Sequence, residues 1–326
     1  MDLIHKFFNI VLPPLNIILL VCFLPLYLVF RFAYCLKRHI FIENVAGKVV
    51  LVTGAASGIG EQIAYEYAKR GACLVLVDIR EDRLGPVAEK AKFLGSPDVL
   101  AVGADVSKLQ DSQRFIEAAV DHFGKLDHLV NNAGTVGLFQ IGVSNLEMIT
   151  TSTPQVHEIM DVNFWGTAYS THFALQHLIK SKGKIIVIAS GLGWYPSPVL
   201  GFYCASKAAA ISLYESLRCE IGSEIGITIV TPGLIESEMS GAMEKGGVDL
   251  IVPKESKEAC AKAIVKSACR GDKYLTEPSW IRVLLQWKFF YPEVVEFGNH
   301  WAIYRRFMHL NRTSTALSPS PQFKLD

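Results

Sequence analysis

Short apolar runs punctuate the chain: Lys48-Val49-Val50-Leu51-Val52-Thr53, Leu74-Val75-Leu76-Val77-Asp78, Val99 to Gly103, Leu126 to Val130, Lys184 to Ala189, and a run near Ile227. Each has strand length and is rich in β-branched residues, as expected of strands buried on both faces, and stretches of helical periodicity lie between them. The alternation predicts an α/β domain, a doubly wound parallel sheet with helices on both faces. A seventh strand is expected at Lys273 to Thr276. One segment stands outside this pattern. Ile10 to Phe30 carries no charged residue, and about twenty residues at helical rise suffice to cross a bilayer core. Pro13, Pro14 and Pro25 interrupt it and Asn16 adds a polar group, which leaves a bent hairpin and a single span as alternatives. Arg31, Lys37, Arg38 and His39 follow the segment, against His5 and Lys6 before it, a bias that keeps the following domain in the cytosol. The apolar stretch is too long for a cleaved signal peptide, and no small-residue cleavage site follows it.

With 326 residues, half of them hydrophobic, the chain can build one large α/β domain plus an appendage. A net charge of +1 gives no sign of a nucleic-acid surface. The seven cysteines are scattered, odd in number and without paired metal spacing, which reads as reduced thiols and no metal site.

Candidate chemistry sits at two places. The first strand runs into Gly54-Ala55-Ala56-Ser57-Gly58-Ile59-Gly60 and then a helical pattern through Ala64, Tyr67 and Ala68. Strand, glycine turn and helix open a dinucleotide-binding unit. Gly54 permits the tight turn, Gly58 lets the backbone approach a pyrophosphate, and Gly60 allows helix and strand to pack closely. The helix N-terminus offers free N–H groups to the phosphates. Asp78, closing the second strand, places a carboxylate where it can bind a ribose 2′-hydroxyl and repel a 2′-phosphate, which favours NAD. Arg80 and Arg83 stand close enough to accept that phosphate, so NADP is the second choice. Further along, Tyr203 and Lys207 lie four residues apart on a predicted helix and so share a face. A cation near a phenol favours its ionised form and brings a weak acid toward the range where it exchanges protons at cellular pH. Ser190 closes an apolar strand thirteen residues before Tyr203, where open α/β sheets place their sites.

Thr-Gly-x-x-x-Gly-x-Gly at Thr53 to Gly60, with Tyr-x-x-x-Lys at Tyr203 to Lys207, resembles the short-chain dehydrogenase/reductase family over roughly Gly47 to Pro278. Five further positions are similar to that family in order. Asp105-Val106 resembles its adenine-contacting segment, and Asn131-Asn132-Ala133-Gly134 the one that supports the central sheet and borders the cofactor. Asn163 falls on its fourth catalytic position; Pro232-Gly233 and then Ser237 fall where the chain meets the nicotinamide end. The resemblance implies a cofactor held by Gly54, Ser57, Gly58, Ile59, Gly60, Asp78, Asp105, Val106, Asn132, Ala133, Gly134, Tyr203, Lys207, Pro232, Gly233 and Ser237. It implies catalysis by Asn163, Ser190, Tyr203 and Lys207, with Ser190 and Tyr203 also touching substrate. Tyr203 exchanges the proton, Ser190 steadies the substrate oxygen, Lys207 holds the nicotinamide ribose and lowers the tyrosine pKa, and Asn163 positions a water.

With the proline-interrupted apolar N-terminus, Asn163-Phe164-Trp165-Gly166 and Glu277-Pro278-Ser279-Trp280, the chain is similar to the plant steroleosins, oil-body proteins of hydroxysteroid dehydrogenase type. That resemblance implies a steroid or other apolar hydroxyl or keto lipid as substrate. It also implies a lipid-droplet or endoplasmic reticulum membrane as partner, with the catalytic domain facing the cytosol. A homodimer is a further expectation. The alternatives are a droplet coat protein with little turnover and a reductase of another lipid ketone. The expected organisation is an anchor and basic flank at 1–46, the dehydrogenase domain at 47–278, an aromatic-rich segment near substrate or membrane at 279–310, and a disordered tail at 311–326. Leu234 to Lys257 is expected to be a substrate lid or a surface loop.

Overall fold

The apolar runs form the strands that their spacing predicts, and they do so because both faces of the sheet are covered. The computed structural model describes residues 2–40, 42–138, 153–245, 252–305 and 307–308. The expected tail at 311–326 and residues 246–251 of the expected lid or surface loop lie outside these residues. Two units divide the chain, Met1–Glu43 and Asn44–Asp326.

The second unit begins with β1 (Val49–Thr53), α2 (Gly58–Ala68), β2 (Cys73–Asp78), α3 (Leu84–Phe93), β3 (Val99–Gly103), α4 (Leu109–Phe123) and β4 (His128–Asn131), α1 being the helix of the first unit. A long helix follows as α5 (Thr153–Met160), a π-helical turn (Asp161–Trp165) and α6 (Gly166–Ser181). The chain continues through β5 (Lys184–Ile188), α7 (Gly201–Ile221), β6 (Gly226–Pro232), α8 (Glu238–Lys245), α9 (Lys257–Arg270) and β7 (Tyr274–Glu277). It closes with α10 (Arg282–Phe290), α11 (Pro292–Asn299) and a second π-helical turn (His300–Tyr304).

All seven strands are parallel, in the order β3-β2-β1-β4-β5-β6-β7. Alternating residues supply the two halves of the core. Val50, Val52, Leu74, Leu76 and Ile186 face α2, α3 and α9, while Leu51, Val75, Leu129, Ile185 and Val187 face α4, α6 and α7. Leu51, Leu74, Leu76 and Leu129 are fully buried, each contributing about 1.5–3 kcal/mol by removal from water. The strand order reverses between β1 and β4, so their carboxyl ends splay apart and leave a crevice. Both the glycine turn and Asn132 emerge there.

The first unit is one helix, α1 (Asp2–Ile40), with Pro13, Pro14 and Pro25 inside it. No hairpin turn interrupts it, which corrects the bent alternative. Each proline removes one backbone donor but fits helical φ, and the remaining ladder carries the helix through. Its stretch Asp2–Ala33 is long and apolar enough to cross a membrane, and nothing in the structure buries it. At 1.5 Å per residue those 32 residues run about 48 Å, more than the ~30 Å hydrocarbon core requires.

Candidate active site

The glycine turn is closed by contacts that only glycine permits. Gly54 sits at φ +65°, and a Cβ there would lie 2.8 Å from Ala133 Cα; at Gly60 it would lie 2.1 Å from the Gly54 carbonyl oxygen and 2.4 Å from Asn132 Nδ2. Asn132 fastens the turn by donating from Nδ2 to the carbonyls of Thr53 (2.9 Å) and Gly54 (3.0 Å), while its backbone N–H donates to Thr53 Oγ1 (3.0 Å). Next to it, Asn131 donates to Thr171 Oγ1 (3.0 Å) and to the Tyr214 hydroxyl (2.8 Å), joining β4 to α6 and α7. Sheet support and closure of the glycine turn are thus divided between two adjacent asparagines.

Asp78 lies beside this turn, 6% exposed, with both oxygens engaged. Oδ2 accepts from the Ala56 N–H at 3.0 Å, and Oδ1 from the Arg80 N–H at 3.0 Å and Nε at 3.3 Å. Arg80 spans the mouth of the turn. Its Nη2 donates to Ser57 Oγ (2.7 Å) and its Nη1 to Glu238 Oε2 (3.0 Å), and Arg83 Nη1 meets Glu238 Oε1 at 3.2 Å. Glu238 heads α8, so the segment after β6 is joined to the end of β2. Sequence reading flagged the arginines but missed Glu238. Asp105 Oδ1 accepts from the backbone and hydroxyl of Ser107 (2.9 and 2.7 Å). Val106 packs so closely on Gly166 that a Cβ at Gly166 would come within 2.9 Å of it.

Ser190, Tyr203 and Lys207 meet where β5 ends and α7 begins. Ser190 Oγ accepts from the Leu192 N–H at 3.1 Å and lies beside the Tyr203 phenol. Lys207 is 4% exposed; its Nζ donates to the Ile188 carbonyl at 3.0 Å and lies 5.8 Å from the centre of the Tyr203 ring. Burial pushes the phenol up to about 12, against the pull of Ser190. It pushes the Lys207 ammonium down to about 8. Helical spacing brings the Lys207 cation near the ring, while loss of water around the phenol is the largest influence on it.

Asn163, in the π-helical turn, is fully buried and does not line the cavity. Its Oδ1 accepts from the Thr135 N–H (2.8 Å), and its Nδ2 donates to the Thr135 carbonyl (2.9 Å) and to Ser206 Oγ (3.0 Å). A π turn inserts a residue into the helical ladder and recurs at functional sites. Here it turns Asn163 toward the loop after β4. Gly134 is the junction, since a Cβ there would lie 3.2 Å from Asn163 Oδ1 and 3.3 Å from Lys207 Nζ.

A single cavity of about 960 Å³ takes in Gly54, Ser57, Gly58, Ile59, Asp78, Asp105, Val106, Asn132, Ala133, Gly134, Ser190, Tyr203, Lys207, Pro232, Gly233 and Ser237. Of the expected site residues only Gly60 and Asn163 stand behind its wall. Its far end is formed by Tyr195, Met243, Ile281, Leu284, Asn299 and Ile303. A Cβ at Gly233 would reach within 2.0 Å of Ile281 Cδ1, so the turn after β6 and the C-terminal segment fit directly against each other. The aromatic run after Pro278 and the segment Leu234 to Lys257 were the sequence signals for this wall.

Residues 48–246 match the model of the short chain dehydrogenase family. The chain is a short-chain dehydrogenase. This short-chain dehydrogenase is 51% identical over 319 residues to an Arabidopsis thaliana protein named 11-beta-hydroxysteroid dehydrogenase-like 6, covering 94% of this chain and 92% of that one. It is 48% identical over 338 residues to 11-beta-hydroxysteroid dehydrogenase A of Arachis hypogaea, covering 100% and 93%. Among solved structures it is similar to an alcohol dehydrogenase from the archaeon Thermococcus sibiricus complexed with 5-hydroxy-NADP, with TM-score 0.60, 25% identity and coverage of 70% and 95%. A short-chain dehydrogenase/reductase from Mycobacterium marinum shares the fold, with TM-score 0.62 and 24% identity over 72% and 94%.

The family uses NAD or NADP, and the dehydrogenase has the features such a cofactor needs. Added Cβ atoms would fill the glycine cradle, the N-terminus of α2 faces the cavity, and a carboxylate and a guanidinium stand side by side at its adenosine end. The chain is an oxidoreductase related to hydroxysteroid dehydrogenase-like proteins.

Proposed function

We propose that this dehydrogenase moves hydride between NAD(P) and a hydroxyl or keto carbon of a steroid or similarly apolar lipid, while attached to a membrane through α1. The observation that carries the reading is the meeting of Ser190, Tyr203 and Lys207 in one cavity whose far wall is mainly apolar. When bound, the nicotinamide cofactor supplies the carbon that takes or gives the hydride. The chain's own residues handle the proton. Tyr203 holds it at its phenol oxygen and delivers it to a keto oxygen, or takes it from a hydroxyl in the reverse direction. Ser190 donates a hydrogen bond to the substrate oxygen, where developing charge in a dry site is worth most. Lys207 sets positive charge beside the phenol, and Asn163 fixes the Thr135 backbone next to Gly134.

The cofactor reading favours NAD. Asp78 has its carboxylate at the adenosine end, and Arg80 and Arg83 are already paired with Glu238, so a 2′-phosphate would meet one carboxylate and compete with another. The continuous α1 and the steroleosin resemblance support attachment to the endoplasmic reticulum or a lipid droplet, with the catalytic unit in the cytosol. The continuous helix suits a span.

Purified protein incubated with a panel of hydroxysteroids and both oxidised cofactors tests the activity, with Tyr203→Phe as the control. The variant should lose nearly all turnover and still bind cofactor, because its ring is kept and only the exchangeable proton is lost. A variant that keeps more than a few per cent of the rate would show that another group is the acid. No turnover in the wild type with any substrate would favour the coat-protein reading.

A further inference from the structure

The last two helices and the turn after them carry a group of exposed large apolar side chains. Phe289 is 82% exposed, Phe297 72%, Phe290 69% and Trp301 64%, and Val283, Val294, Tyr291 and Trp287 stand half-exposed around them. An aromatic side chain carries 150–250 Å² of surface, so the four rings alone present on the order of 500 Å² to solvent. Apolar surface of this extent often marks an interaction site.

Three observations name what covers it. The rings are interleaved with Arg282, Lys288 and Arg305, the mixture that suits the boundary between lipid tails and headgroups, where long cationic side chains reach to the polar side. Only residues 41–48 join α1 to β1, a length that reaches at most about 28 Å when extended. A membrane that holds α1 therefore keeps this domain at very high local concentration near its surface. The same segment also builds the substrate end of the cavity, through Ile281, Leu284, Ala302 and Ile303. Lys288 Nζ donates to the Trp194 carbonyl and Asn299 Nδ2 to the Pro196 carbonyl at 2.9 Å, so α10 and α11 are fastened to the loop that follows Ser190.

We propose that α10, α11 and the turn after them form a second membrane contact, independent of α1, that sets the mouth of the substrate cavity against the lipid. An apolar substrate then reaches Ser190 and Tyr203 from the lipid side without crossing water. The contact rests on the proposed function only for the nature of its substrate.

Fluorescence separates the two membrane contacts, because none of the five tryptophans lies in α1. Full-length protein is reconstituted into phosphatidylcholine vesicles with plain or brominated acyl chains. Brominated chains should quench a substantial part of the emission, and the double variant Trp287→Phe, Trp301→Phe should lose most of that quenching. Quenching that is absent, or unchanged in the variant, overturns the proposal; so does concentration-dependent cross-linking of unquenched protein through this face, which would assign it to a second copy. A kinetic arm uses Phe289→Ser with Phe297→Ser, two residues outside the cavity wall. KM for a substrate dissolved in the vesicles should rise about 5–10-fold while kcat/KM for a water-soluble ketone stays unchanged. Equal effects on both substrates would overturn the lipid-side route. The quenching arm needs no substrate, so failure to find a steroid activity and failure of membrane docking are read separately.

Discussion

Replacing Asn163 by alanine separates two roles that its position suggests, a direct part in proton handling and a clamp on the loop after β4. The side chain is fully buried and makes three hydrogen bonds, two to the Thr135 backbone and one to Ser206. A typical buried hydrogen bond is worth about 1 kcal/mol net, and a backbone group left without a partner costs about 1–3 kcal/mol. Removing all three bonds should destabilise the catalytic unit by about 3–5 kcal/mol. For a domain of this size each kcal/mol lowers the melting temperature by about 2–4 °C, so differential scanning calorimetry should record a fall of roughly 6–20 °C. Cofactor titration should show weaker binding as well, because Thr135 and Gly134 line the cavity and are no longer held. The informative comparison is with Asn163→Asp, which keeps an acceptor for the Thr135 N–H but turns an oxygen toward the Thr135 carbonyl, and should be at least as destabilising. If Asn163→Ala melts within about 1 °C of wild type while its rate collapses, the clamp account is wrong and the side chain acts on the chemistry itself.

Three further outcomes follow from carboxylates. Asp78→Ser should shift relative affinity toward NADP by about 1–3 kcal/mol, roughly 5- to 150-fold, and Glu238→Gln should shift it the same way but less, since Glu238 is exposed and its pairing is screened; wild type binding NADP more tightly in an equilibrium titration would make Arg80, not Asp78, the determinant. Glu255, desolvated and facing Glu277, has its carboxyl pushed up from 4.5 to about 7; a raised pKa means stability fully present below pH 4.5 and lost as pH rises through about 7, so melting temperatures across pH 4.5–8 should fall less in Glu277→Gln than in wild type, and parallel curves would refute the coupling.

The parts of the fold that were legible in the sequence depend on local pattern. Apolar runs such as Leu74 to Asp78 can only be strands covered on both sides, and the glycines from Gly54 to Gly60 sit where backbone meets backbone, so their spacing alone located the turn. Tyr203 and Lys207 were legible because four residues make one helical turn. What escaped the sequence depends on residues far apart along the chain. Asn163 meets Thr135 and Ser206, 28 and 43 positions away, and Arg80 meets Glu238 across 158. No periodicity encodes such pairs. The prolines of α1 misled in the opposite sense, because local propensity argued for a bend where the helix runs on.

The electrostatics of the catalytic pair follow from the same wall that suits an apolar substrate. Tyr203 and Lys207 are displaced in opposite directions, one up to about 12 and the other down to about 8, because each environment disfavours the charged form. A cavity with a largely apolar wall is a poor place to ionise a phenol, and at neutral pH the chain alone holds Tyr203 protonated. That is the state needed to donate a proton to a ketone. Running the reaction toward oxidation requires the phenolate, the form that burial disfavours. Ser190, which already pulls the phenol down, and the charge of Lys207 are the groups on hand to offset that effect, and Gly134 is the residue whose lack of a side chain lets Lys207 stand there. Widening or wetting the cavity to admit polar substrates would therefore change the acid as well as the specificity, since both are set by how completely water is kept from the end of β5.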